Sequence, residues 1–145
     1  MPERETIERA REDAREGKSP STQAGEFVRE EMHHIREGKH GAASTKQAIA
    51  IGLSKARRSG VKLPATGSAS TRKKAQQDTK ASRSMRKPSA TRSRATTKIL
   101  KREPRSAASH TALSRQAKST AKKRSASARS QSAKKAANTR SRKAA

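Results

Sequence analysis

Few side chains in this sequence could do covalent or metal chemistry. His33, His34 and His40 are the only clustered metal-ligand candidates. Neighbouring histidines on a helix point to different sides, and with no cysteine in the chain no thiolate can complete a zinc set. They read as surface histidines, so neither a metal nor any other cofactor is expected. No Gly-x-Ser-x-Gly elbow and no phosphate-cradling glycine loop occurs. The acids of the first half are explained as helix-surface ion pairs, and an enzyme is not expected.

Charge is the chemistry that remains. The 145 residues carry a formal net charge of +25. Residues 65–145 hold 24 of the 37 Lys and Arg against two acids, Asp78 and Glu103, a balance of +22, whereas residues 1–64 balance 13 bases against 10 acids. Nucleic acid presents closely spaced phosphates with condensed counterions, and a polycation gains affinity by releasing them. By charge count the C-terminal segment could neutralise roughly 22 phosphates, about 11 base pairs of duplex. The candidate phosphate ligands are Arg72, Lys73, Lys74, Arg86, Lys87, Arg92, Arg94, Lys98, Lys101, Arg102, Lys122, Lys123, Arg124, Lys134, Lys135, Arg140, Arg142 and Lys143. Lys46, Lys55, Arg57 and Arg58 form a second, smaller set on an N-terminal helix that could lie against a phosphate backbone.

Three helices must position that second set. Residues 2–16 are dense in Glu and Arg spaced three or four apart, as in Glu5 with Arg9, and Gly17 can stop the helix. Ser19-Pro20-Ser21 breaks the chain, and Ser21 or Thr22 can cap a helix running to Glu37 before Gly38. Along it Ala24, Val28, Met32 and Ile35 share one face, with Phe27 beside them. Ser44 with Gln47 fits a capping box that opens a third helix, ending near Ser59 and Gly60. Ile49, Leu53 and Ala56 share its inner face, and Val61, Leu63 and Pro64 form an apolar clasp. Arg15-Glu16-Gly17-Lys18 recurs as Arg36-Glu37-Gly38-Lys39, each copy reading as a helix stop.

The remainder looks unable to fold alone. Its large apolar residues are Met85, Ile99, Leu100 and Leu113, too few to offset a backbone ordering cost of roughly 1–2 kcal/mol per residue. Residues 65–145 are therefore expected to be an intrinsically disordered, low-complexity basic tail, following a small all-α module of about three short helices at 1–64. With few Gly and only Pro88 and Pro104 as breakers, neutralising its charge would induce helix around 91–103 and 106–135. Neither a secretory signal nor a run of roughly 20 apolar residues is present, so no membrane span is expected. A cytoplasmic protein follows.

The block Gly38-Lys39-His40-Gly41, Ser44 to Arg58 and Gly60-Val61-Lys62-Leu63-Pro64 resembles a family of short basic bacterial proteins of undescribed function, over residues 9–64. That resemblance implies no mechanism. Ala121-Lys122-Lys123-Arg124 and Ala133-Lys134-Lys135-Ala136-Ala137 are similar to the Lys/Ala/Ser tails of linker histones and bacterial histone-like proteins, which implies DNA condensation.

Composition also limits how nucleic acid could be read. The sole aromatic, Phe27, belongs to the expected core, leaving no stacking platform. A segment without rigid structure cannot hold side chains for base readout. The expectation is a sequence-independent DNA-binding, nucleoid-associated protein, with DNA favoured over RNA and the helical module supplying position by self-association or a protein partner. Its alternative is an interaction module carried to RNA or the ribosome by the basic segment. A merely solubilising tail needs no single-sign charge, and a membrane-surface anchor would need bulky apolar residues that the tail lacks.

Overall fold

Four glycines with positive φ, Gly17 (71°), Gly38 (79°), Gly60 (97°) and Gly67 (99°), punctuate the chain. The first three end helices in the same way. In each, the N–H of the residue after glycine donates to the carbonyl five residues back: Lys18 to Asp13 at 2.9 Å, Lys39 to His34 at 3.0 Å and Val61 to Ala56 at 3.1 Å. Such a closure needs a left-handed residue that only glycine adopts without strain. The repeated Arg-Glu-Gly-Lys thus marks a reused stop.

A computed structural model describes residues 1–84 and 89–144. The helices are α1 (Arg4–Arg15), α2 (Pro20–Arg36), α3 (Thr45–Arg58), α4 (Ala69–Ala81), α5 (Ala90–Leu100), α6 (His110–Lys123) and α7 (Ala126–Ala144), with a 3-10 turn at Arg105–Ala108. Ser19, rather than Ser21 or Thr22, caps α2, its Oγ accepting from Thr22 N–H at 3.4 Å with Pro20 at the first helical position. Ser44 caps α3 as expected, accepting from Gln47 N–H at 3.2 Å, while Gln47 reaches back to Ala43 N–H at 2.6 Å.

The chain divides into a unit of residues 1–109 and a second that begins at His110. In the first, α2 is central and packs on α1, α3 and the 3-10 turn, and α4 packs on α3. Ala10, Ala24, Phe27, Ala56 and Val61 are buried together, with Ile7, Leu53 and Leu63 against them, so the apolar clasp closes the core. Arg9 joins α1 to α2 through Glu26, 2.8 Å from its Nε, and this contact raises the guanidinium further above its ordinary range. Where α2 and α3 cross, a Cβ on Gly52 would lie 2.8 Å from Val28 Cα, so only glycine allows the approach.

Residues beyond 64 are not a disordered tail. They are helical over most of their described length, with no polyanion needed to induce the helices, and those up to 109 belong to the first unit. Two kinds of anchor replace the large apolar residues that are missing. The first is polar: Asp78 of α4, 2 % exposed, accepts from Ser54 Oγ at 2.7 Å and from Arg58 Nε at 2.9 Å on α3. The second is small: Ala107 and Ala108 are buried, and their carbonyls accept from Thr45 Oγ1 at 2.7 Å and Arg36 Nε at 2.9 Å. Gly41 N–H and Ala42 N–H donate to Leu100 and Pro104 carbonyls at 2.8 and 3.1 Å. The strap from 100 to 108 lies so close that a Cβ on Gly41 would sit 1.9 Å from Glu103 O. Met85, and with it the expected ligands Arg86 and Lys87, lies outside the described residues.

Two substitutions test these anchors, read by urea unfolding followed by far-ultraviolet circular dichroism because the chain has neither Trp nor Tyr. Asp78→Ala leaves Ser54 and Arg58 without their acceptor and should cost about 1–3 kcal/mol. Gly41→Ala drives a methyl into backbone that no rotamer change can clear, so it should cost about 1–3 kcal/mol or release the strap.

Candidate nucleic-acid interface

Phosphate binding needs cations that are exposed and not already committed to acids. On α3 the expected set divides. Lys46 is exposed. Lys55 turns inward to Glu30 Oε1 at 3.3 Å and Glu31 Oε2 at 2.7 Å. Arg57 donates to the Pro64 carbonyl at 3.3 Å, and Arg58 holds Asp78. Three of the four therefore serve the fold.

The C-terminal cations stand differently. Arg72, Lys73 and Lys74 on α4 are exposed, Lys74 lying 3.6 Å from Asp78. Arg92, Arg94 and Lys98 on α5 are exposed, as are Lys101 and Arg102 just after it. In the second unit Lys122, Lys123, Arg124, Lys134, Lys135, Arg140, Arg142 and Lys143 are all exposed. The chain from His110 onward contains no Asp or Glu, so no acid within it competes with phosphate.

Helical geometry adds residues that a reading of the segment as disordered passes over. Arg115, Lys118 and Lys122 follow one another at intervals of three and four on α6, which puts them on one face over about 10 Å of helix. Ser119 and Lys123 lie beside them on the same helix. On α7, capped by Ser125 Oγ accepting from Ala128 N–H at 3.1 Å, Arg129 joins the five expected cations, and all six are distributed around the helix rather than on one side. Arg124 is partly engaged, donating to the Ala128 carbonyl at 3.0 Å and to Ser132 Oγ. The spacing 115, 118, 122 is visible in the sequence, but it acquires meaning only once the segment is helical.

Around α2 lies a different kind of site. Glu30 and Glu31 are buried side by side, and His34 and His40, far from being surface histidines, have side chains only 13 % and 16 % exposed beside them. His33 is the exposed one. Hydrogen bonds from His34 and then Lys39 hold the Glu3 carboxyl below its ordinary range.

Fold and surface together define an all-α protein whose uncommitted positive charge is concentrated in its C-terminal helices. Residues 15–66, less than half of the chain, match the model of a family of unknown function (DUF6496). The match starts six residues later than the expected resemblance, and the similarity to histone tails falls outside it. Searches of curated proteins and of solved structures give no match. Among the described residues no helix is long and apolar enough to cross a membrane.

The division on α3 is testable by stability. Arg58→Gln should lower it by roughly 1 kcal/mol through loss of a charged donor to a buried carboxylate, whereas Lys46→Gln should leave it within about 0.5 kcal/mol of the unaltered chain.

Proposed function

We propose that the protein binds nucleic acid by its phosphates, through the cationic C-terminal helices and without reading bases. The observation that carries this is the run from His110 to the end of the chain, where Arg115, Lys118, Lys122, Lys123, Arg124, Arg129, Lys134, Lys135, Arg140, Arg142 and Lys143 occur with no acid among them. Phe27, the one residue among Phe, Trp and Tyr, is 1 % exposed in the core, which leaves no such side chain as a platform for base stacking. Among the described residues the exposed large apolar side chains are only Met1 and Ile99, which disfavours an anionic membrane as the partner. Duplex DNA is the favoured partner, and a nucleoid location follows from that reading.

Helices also change how strongly the charge can act. A flexible chain can bring every cation to a phosphate, but a helix offers only the face turned toward the duplex. On α6 that face is Arg115, Lys118 and Lys122, and on α7 about half of the cations can point one way. Roughly six simultaneous contacts give a salt slope, d log K/d log[salt], near −5. A fully engaged flexible segment with 22 contacts would give a slope near −20.

Titration of the full chain against a labelled random-sequence duplex at several salt concentrations, with RNA of equal length as competitor, measures this directly. The expected result is a slope near −5, little dependence on sequence, and loss of roughly three slope units in Arg115→Gln/Lys118→Gln/Lys122→Gln with helicity unchanged. Binding indifferent to that triple substitution would remove α6 from the interface. Absence of binding at low salt would overturn the reading.

A further inference from the structure

The buried cluster on α2 has a chemistry that phosphate binding does not use. Glu31 is 0 % exposed, and neither carboxylate oxygen has an aligned hydrogen-bond donor. Lys55 Nζ stands 2.7 Å from Oε2 and His40 Nε2 stands 3.3 Å from Oε1, as ionic contacts only. A ligand nitrogen or oxygen from each of Glu31, His34 and His40 lies within 4.8 Å of the other two.

The outer contacts of both histidines fix which nitrogen carries the proton, and the other nitrogen of His34, Nδ1, stands 3.9 Å from Glu30 Oε1. His40 Nδ1 is 3.0 Å from the Gly41 carbonyl, which can only accept, so Nδ1 carries the proton. A neutral His40 then presents the lone pair of Nε2 to Glu31 Oε1, acceptor against acceptor. His34 Nε2 is 2.9 Å from Glu3 Oε1, so its proton belongs there and its Nδ1 carries the lone pair. Each imidazole is thus held from behind by a carbonyl or a carboxylate, the arrangement that orients histidines on a metal. Imidazole nitrogens and a buried carboxylate oxygen gathered this closely are the donor types that a divalent cation takes.

We infer that Glu31, His34 and His40 form a binding site for a single divalent first-row cation, zinc being the best fit to a two-histidine, one-carboxylate donor set. Tetrahedral bonds of about 2.0–2.1 Å separate neighbouring ligand atoms by about 3.3–3.4 Å, and His40 Nε2 and Glu31 Oε1 are already 3.3 Å apart. Three protein ligands leave the fourth position to water. Of the three ligands, His34 also lines a cleft of about 290 Å³, together with Glu3, Glu30, Glu37 and Lys39 among others. Glu3 acts as a positioning residue through His34. Lys55, bound to both Glu30 and Glu31, is a competitor for the carboxylate as well as its neutralising partner.

The test is calorimetric titration of zinc chloride into the chelator-stripped full chain near neutral pH, with the thermal midpoint followed by circular dichroism. One ion per chain is expected, with a rise in midpoint as zinc saturates. His34→Ala and His40→Ala should each weaken binding by roughly 100-fold or more, and Glu3→Gln by roughly 10- to 100-fold through lost orientation. Lys55→Met should tighten binding, a change that a purely structural ion-pair cluster does not produce. His33→Ala and His110→Ala serve as controls and should leave the affinity unaltered. Glu31→Gln should abolish binding, and if that variant fails to fold, the two partly exposed histidines decide the matter. Absence of saturable binding at one equivalent, or equal losses in the His33 and His110 controls, would overturn the site.

Discussion

Two carboxylates buried next to each other on one helix impose the main constraint on the N-terminal unit. Glu30 and Glu31 lie on α2 with side chains 2 % and 0 % exposed. Neighbouring negative charges out of water are costly unless cations and donors come to them. These come from two directions: Lys55 of α3, 3.3 Å from Glu30 Oε1 and 2.7 Å from Glu31 Oε2, and the Glu3 backbone N–H, 3.1 Å from Glu30 Oε2, at the start of α1. Helix α2 is therefore the central element both because its apolar face carries Phe27 and because its acids must be surrounded. Gly52 completes the arrangement by letting α3 approach closely enough for Lys55 to reach across.

Much of this part was legible in the sequence. The serine cap of α3, the three glycine stops and the Phe27 face follow from local chemistry between residues near one another in the sequence. The role of the acids was not legible. Glu30 and Glu31 have the composition of a solvated helix surface, and only the packing of α3 and the loop after α2 makes them interior. The same limit hid the histidine pair. His33 and His34 do point apart, as adjacent helical residues must, but His40 returns to His34 through a turn at Gly38, and their rings meet edge to face with centroids 6.3 Å apart.

In the C-terminal half the burial falls on small residues instead of large apolar ones. Counting large apolar side chains gives a chain with nothing to bury. Yet Ala75, Ala107 and Ala108 are buried at 3 %, 6 % and 0 % exposure, because a residue with no side chain beyond Cβ lets backbone approach backbone. The hydrogen bonds then run to main-chain carbonyls, which any sequence possesses and no composition reveals. Asp78, one of two acids in a segment of 24 bases, looks incidental in the sequence and serves as the polar anchor of α4. The exposed cations were legible individually, but their common face on α6 was not, since a face exists only once there is a helix.

The strap over Gly41 has a consequence for the order of folding. Its contacts join residues far apart in the chain, 62 positions between Thr45 and Ala107 and 72 between Arg36 and Ala108. Helical proteins usually fold fast because their contacts are local, and α1, α2 and α3 can assemble that way as soon as they are synthesised. The closing of the strap cannot. It must wait for the whole of α4 and α5 to emerge and for a long loop to close, and until then the backbone of Gly41 and the side chain of Ala42 stand uncovered. In this all-helical unit the late event is thus the closing of backbone hydrogen bonds between segments far apart in the chain.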